Sequence, residues 1–140
     1  MSFWKGKFLY QKEFFVSSTI EGLHTCLNTV GYVCKKFELN SDIGFSLHTI
    51  MVEAVENAII HGNRGLRELE VRVRLVITSS EIFIEVEDRG KGFDINCIPS
   101  PINLSNRMLE GGRGIYFIKV LSEDFYTIGR GNIIRVKLKR

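Results

Sequence analysis

Residues 43–63, IGFSLHTIMVEAVENAIIHGN, decide how the rest of the chain is read. Phe45, Leu47, Ile50, Met51, Ala54, Val55, Ala58 and Ile59 recur at three- and four-residue steps, the period of a helix with one buried face. Asn40-Ser41-Asp42 precedes the run as a start signal. Gly62-Asn63-Arg64-Gly65 follows it, with residues that accept the left-handed backbone of a helix end. The spacing predicts a helix from Ile43 to about His61. Its C-terminal half gathers Glu53, Glu56, Asn57, His61 and Asn63. Glu53 and Asn57 are four apart, so both project from one face beside the apolar stripe. A carboxylate and an amide there are costly without partners or a ligand. An Asn oxygen suits Mg²⁺, which fills its other positions with water and phosphate oxygens. Glu53, one turn earlier, suits a proton acceptor for an attacking hydroxyl or water. The same side chains also fit the solvated edge of an ordinary amphipathic helix.

Working outward, Phe8 to Val16 reads as a strand, and Ser18 or Thr19 caps a helix from Ile20 to about Phe37. After the long helix the period changes to two. Val71, Val73, Leu75 and Ile77, then Ile82, Ile84 and Val86, form the apolar face of an antiparallel hairpin turning at 78–81, with a partly wet opposite face. Residues 88–114 are irregular, which in a domain of this size marks a functional or mobile segment. Ile115–Leu121 fits a short helix opening at glycines, and strands near 125–128 and 133–138 flank a turn at Gly129-Arg-Gly-Asn. Helices collected apart from antiparallel strands predict an α+β two-layer sandwich. The expected sheet is mixed and mostly antiparallel, covered on one face by about three helices, in a single domain of residues 1–140.

Bulk properties exclude several classes. A net charge of +3 from 19 basic and 16 acidic residues is too small an excess for a nucleic-acid binder. The basic residues Arg135, Lys137, Lys139 and Arg140 read as a solvated edge strand protected against aggregation. Cys26, Cys34 and Cys97 are odd in number and lack paired spacing, which argues against a disulfide framework or zinc site and for a reducing cytoplasm. No signal peptide is expected, and no apolar run approaches the ~18 residues of a membrane span.

Two glycine-rich segments complete the candidate chemistry. Glu87-Asp88-Arg-Gly90-Lys-Gly92-Phe93 follows a strand. Its glycines let backbone approach a ligand closely, and an Asp at the strand end suits an exocyclic amine such as that of adenine. Glu110-Gly111-Gly112-Arg113-Gly114-Ile115 opens a helix, where backbone N–H groups and the Arg113 fork suit phosphate. Singly, these are a turn and a hinge. Together with Glu53-x-x-x-Asn57, in this order and context, they point to ATP·Mg²⁺. Neither a P-loop nor a dinucleotide fingerprint is present.

The combination Glu53-Ala-Val-Glu-Asn57-Ala-Ile-Ile-His-Gly, Asp88-Arg-Gly-Lys-Gly-Phe and Gly111-Gly-Arg-Gly-Ile resembles the GHKL superfamily, the Bergerat-fold ATPases that include gyrase-type topoisomerases and sensor histidine kinases. Within it, the chain is most similar to the small bacterial anti-sigma factor serine kinases. The resemblance implies that Asn57 binds Mg²⁺ and that Glu53 is the general base. It implies that Asp88 reads the adenine amino group, with Gly90, Gly92 and Phe93 shaping the pocket and His61 at its edge. Gly112, Arg113 and Gly114 would meet the phosphates, with Gly111 and Ile115 beside them in the cofactor site, and about 94–110 would form an ATP lid. Implied partners are a STAS-type anti-anti-sigma protein phosphorylated on serine, a sigma factor, and a second copy in a homodimer, with no direct nucleic acid and no membrane. The alternatives are a nucleotide-binding switch without phosphotransfer and an isolated ATPase module of a sensor histidine kinase. One departure is that the final hairpin reads Gly131-Asn132-Ile133 where such proteins commonly carry Gly-Thr followed by apolar residues. Thr127 is a candidate substitute.

Overall fold

Thr19 and Asn40 set where the first two helices begin. The Thr19 hydroxyl accepts from the Gly22 N–H at 3.1 Å, and Asn40 Oδ1 accepts from the Ile43 N–H at 2.9 Å. Each satisfies one of the donors that a helix start leaves without an intrahelical partner. A computed structural model describes residue 4, residues 6–90 and residues 110–140, with backbone alone at 110–113. The order is β1 (Tyr10–Val16), α1 (Ile20–Lys36), α2 (Ser41–Glu56), a π-helical turn (Asn57–Gly62), β2 (Val71–Ile77), β3 (Glu81–Glu87), α3 (Glu110–Leu121), β4 (Asp124–Ile128) and β5 (Ile133–Lys139).

The five strands form one sheet in the order β1-β2-β3-β5-β4, and every pairing among the described residues is antiparallel. The expected α+β sandwich is therefore present, without the parallel pairing that a mixed sheet would have. The helices lie on one face. Val73, Leu75, Ile82, Ile84, Val136 and Leu138 face Leu47, Ile50, Met51, Ala54 and Val55 of α2 and Val30 and Val33 of α1, all in one buried cluster. By length and composition alone, Ser41–Gly62 would be apolar enough to cross a membrane. Here it is the central helix of the helical layer, packed against α1, α3 and the sheet.

The opposite face departs from expectation. β5 lies between β3 and β4, so Arg135, Lys137 and Lys139 are not on an edge strand. Arg135 and Arg72 both bind Glu85, at 2.5 and 2.6 Å, and Arg72 also reaches Glu87 at 2.7 Å. Glu85 is only 3% exposed. Burial pushes its pKa up, but hydrogen bonds from Arg135 and Arg72 outweigh that and leave it below the usual carboxylate range. Trp4 stands edge-on to Phe83 with ring centroids 5.6 Å apart, and the Arg74 guanidinium lies 4.4 Å from the Trp4 ring centroid. Val76 and Phe83 are fully buried beneath this cover, so the face is drier than its alternation predicts. Cys26 is buried and free, its thiol pushed up to about 12 by burial, and Cys34 is also free.

Two helix boundaries differ from the sequence expectation. The long helix does not stay α-helical to His61. From Asn57 it widens into a π turn, with the Asn63 N–H donating to Ala58 O at 2.8 Å. Such a turn is rare, occurs mostly as a single turn within an α-helix, and is frequent at functional sites. The holding contacts are tertiary: Asn63 Nδ2 donates to Ser18 Oγ, Leu69 O and Glu70 O. Arg64 (φ 54°) and Gly65 (φ 68°) then end the helix in the left-handed region, as the sequence predicts. At α3 the glycines do not precede the helix, because Glu110 to Gly114 already form its first turns.

Candidate functional site

The π turn brings Asn57 to the end of the sheet where β3 delivers Asp88. Asn57, His61, Gly62, Asn63, Arg64, Leu66, Leu69, Asp88, Arg89, Gly90 and Arg130 line an open cavity of about 740 Å³. That volume is within the range of small-molecule and cofactor sites. Asn57 is 6% exposed and lines this cavity. His61 is exposed and lies at the rim.

Asp88 is 6% exposed. Its Oδ1 accepts from the Gly90 N–H at 2.6 Å, leaving Oδ2 for a ligand. Burial raises its pKa, opposed by the Gly90 hydrogen bond and the Arg130 charge. Two glycines allow this arrangement. A Cβ on Gly62 would fall within the Asp88 carboxyl group, and a Cβ on Gly90 would collide with the Gly62 carbonyl. The first glycine segment and the helix end therefore interlock, backbone against carboxylate. Gly90 is among the expected site residues. In the sequence Gly62 reads as a helix terminator and as the last residue of the motif that starts at Glu53, and its contact with Asp88 is not legible there because it joins positions 26 residues apart.

The second glycine segment meets the helix at Glu53. A Cβ on Gly114 would lie 2.6 Å from Glu53 Oε2, so the absence of a side chain at 114 makes room for the carboxylate. Ile115, expected in the cofactor site, is 2% exposed and belongs to the core cluster. Its side chain is committed to packing, and only its backbone remains for a ligand. Gly111, Gly112 and Arg113 lie in the first turn of α3. Gly92, Phe93 and residues 94–109 fall outside the described residues.

Two further residues line the site without a role assigned to them from the sequence, Asn63 at the polar helix end and Arg130 in the final turn. Asn63 is 1% exposed, and its Oδ1 accepts from the Arg89 N–H at 2.8 Å. Arg130 Nε donates to Gly90 O at 2.8 Å. Thr127 lies within β4 opposite Ile134, whereas Asn132 contacts Asp88 directly and is the polar residue that the final hairpin brings there. No group of three or more His, Cys, Asp or Glu that could hold a metal exists among the described residues. A divalent cation here would take one oxygen from Asn57 and the rest from phosphate and water, a donor set that fits Mg²⁺.

A helix-borne Asn and Glu, a buried Asp at a strand end and a glycine-opened helix thus gather on one antiparallel sheet of an α+β domain. The family model described as histidine kinase-like ATPase domain matches residues 16–138, and the chain belongs to that family. Membership implies ATP binding. The chain is 30% identical over 96 residues to an anti-sigma F factor of Clostridium botulinum, covering 65% of this chain and 67% of the relative. It is 29% identical over 94 residues to the serine-protein kinase RsbW of Oceanobacillus iheyensis, covering 59% and 60%, and 28% identical over 102 residues to RsbW of Bacillus licheniformis, covering 69% and 64%. These relatives support a place in the partner-switching kinase group.

Proposed function

We propose that this chain is an ATP-dependent protein serine kinase and anti-sigma factor. It phosphorylates a serine of a STAS-type anti-anti-sigma protein and, in its other state, holds a sigma factor. The observation that carries the reading is the contact between Gly114 and Glu53, which joins the second glycine segment to the helix that also bears Asn57. It supports a carboxylate beside the phosphate-binding backbone rather than a binding pocket alone.

In this reading one domain serves, with residues 94–110 as its lid. Asp88 Oδ2 accepts from the adenine amino group, Gly90 and Gly92 admit the base, and Asn57 holds Mg²⁺. Gly111, Gly112, Arg113 and Gly114 present backbone N–H groups and a guanidinium to the phosphates. Bound Mg²⁺ neutralises phosphate charge, as in other phosphoryl transfers. Glu53 orients the serine hydroxyl and takes its proton as the serine oxygen bonds to the γ-phosphorus. The bond to the bridging oxygen breaks and ADP leaves. The remainder of catalysis is positioning.

The test is transfer from γ-labelled ATP to purified STAS-type proteins. Wild type should label a serine, and Glu53→Gln should lose transfer by ~10²–10⁴-fold with ATP affinity kept. A wild-type rate in Glu53→Gln removes Glu53 from the role of base. Wild-type protein that binds ATP and a sigma factor yet labels no partner would leave the binding switch as the function.

A further inference from the structure

Asn132 is 7% exposed and sits where β5 begins, beside the turn Gly129–Gly131. Its Nδ2 donates to Asp88 O at 3.0 Å, and the Asp88 N–H donates to Asn132 O at 3.0 Å. Both peptide groups flanking the Asp88 α-carbon are thus held by one residue 44 positions away. Gly129 adjoins the seat closely, since a Cβ there would lie 3.1 Å from Asn132 Oδ1, a tight contact. The neighbours of Asp88 are held as well, Arg89 N–H by Asn63 Oδ1 and Gly90 O by Arg130. Gly90 N–H occupies Asp88 Oδ1, so the direction of Oδ2 follows directly from the orientation of the Asp88 backbone.

We propose that Asn132 is a positioning residue for base selectivity. Acting through the Asp88 peptide, it aims Oδ2 at an exocyclic amine and so makes the cavity prefer a 6-aminopurine nucleotide. The side chain does not touch the ligand in this role. A hydrogen bond depends steeply on angle and distance, so a carboxylate free to swing discriminates poorly even when it stays in the pocket. The inference rests on Asp88 reading the base amine.

The experiment compares ATP with purine riboside triphosphate, which lacks the 6-amino group, by calorimetry on the full chain. Wild type should bind ATP roughly 10- to 100-fold more tightly, the range of one hydrogen bond to a charged group. Asn132→Ala should bring that ratio to about 1–3 while leaving the affinity for the amine-free analogue within about twofold. Asn132→Asp keeps the shape and replaces the donor by an acceptor, and should collapse the ratio in the same way. It also carries the test if Asn132→Ala does not melt as a folded protein. A merely structural role would weaken both ligands in parallel and keep the ratio, and that result overturns the proposal. Asp88→Ala separates the two layers. If it collapses the ratio and neither Asn132 variant does, Asn132 is not the positioning residue. If Asp88→Ala leaves the ratio at its wild-type value, the reading of the base by Asp88 is wrong and this inference falls with it.

Discussion

Replacing Gly62 with alanine adds one methyl group where the Asp88 carboxyl already lies. The new Cβ would be 2.6 Å from Asp88 Oδ1 and nearer still to its Cγ and Oδ2. Ordinary contact needs about 3.5 Å, so something must move by roughly 1 Å. Asp88 has little freedom to yield, being buried, with Oδ1 on the Gly90 N–H and its peptide groups on Asn132. Overpacking of this kind costs about 1–3 kcal/mol. Alanine returns up to ~1 kcal/mol through helix propensity, leaving a net loss of about 1–2 kcal/mol. At ~2.1 cal/mol/K per residue, unfolding 140 residues carries an entropy near 0.3 kcal/mol/K, so Tm should fall by roughly 3–7 °C. ATP affinity should fall with it, because the displaced group is the one assigned to the base. Gly31→Ala is the control. Nothing lies within 4 Å of a Cβ there and the site is an exposed position of α1, so the same substitution should raise Tm by about 3 °C. Thermal melts and calorimetry with ATP read both. A Gly62→Ala protein that melts at or above wild type with unchanged ATP affinity would refute the interlock.

Asn57→Ala should weaken ATP binding in the presence of Mg²⁺ much more than in EDTA, and calorimetry showing equal losses would remove the metal role. Gly114→Ala drives a methyl into the Glu53 carboxylate, so transfer should drop by roughly 10²-fold; a wild-type rate would contradict the contact. Glu85 has a lowered folded-state pKa, so its contribution is present above its unfolded pKa and lost as pH falls through the folded value. An acid titration of stability should therefore steepen below the ordinary Glu range in wild type and flatten there in Glu85→Gln. Asp88 shifts the opposite way. On acidification it should lose its charged acceptor form above the ordinary Asp range, so ATP affinity should start to fall there, and Asp88→Asn should show no such limb.

Much of the architecture is legible in local sequence because the signals are periodic. The α2 stripe, the alternation of 71–77 and 82–86, and Thr19 and Asn40 as caps concern residues within a turn or two of one another. The order of the three polar motifs is likewise a property of the chain, and it was enough to point to a nucleotide site. What local sequence could not contain is which distant groups share a few ångströms. The contacts of Gly62 with Asp88, Gly114 with Glu53 and Asn132 with the Asp88 peptide join positions 26, 61 and 44 residues apart. The π turn at Asn57 has no propensity signature either, because buried bonds from Asn63 to Ser18, Leu69 and Glu70 hold it. The same holds for the basic C-terminal strand. Alternating Arg and Lys look alike on an edge and in the middle of a sheet, and only the pairing of β5 with both β3 and β4, together with the burial of Glu85 between Arg72 and Arg135, decides between them. Period and caps set the elements. Close packing across the sheet end set which of the Asp, Asn and Gly residues form the cavity.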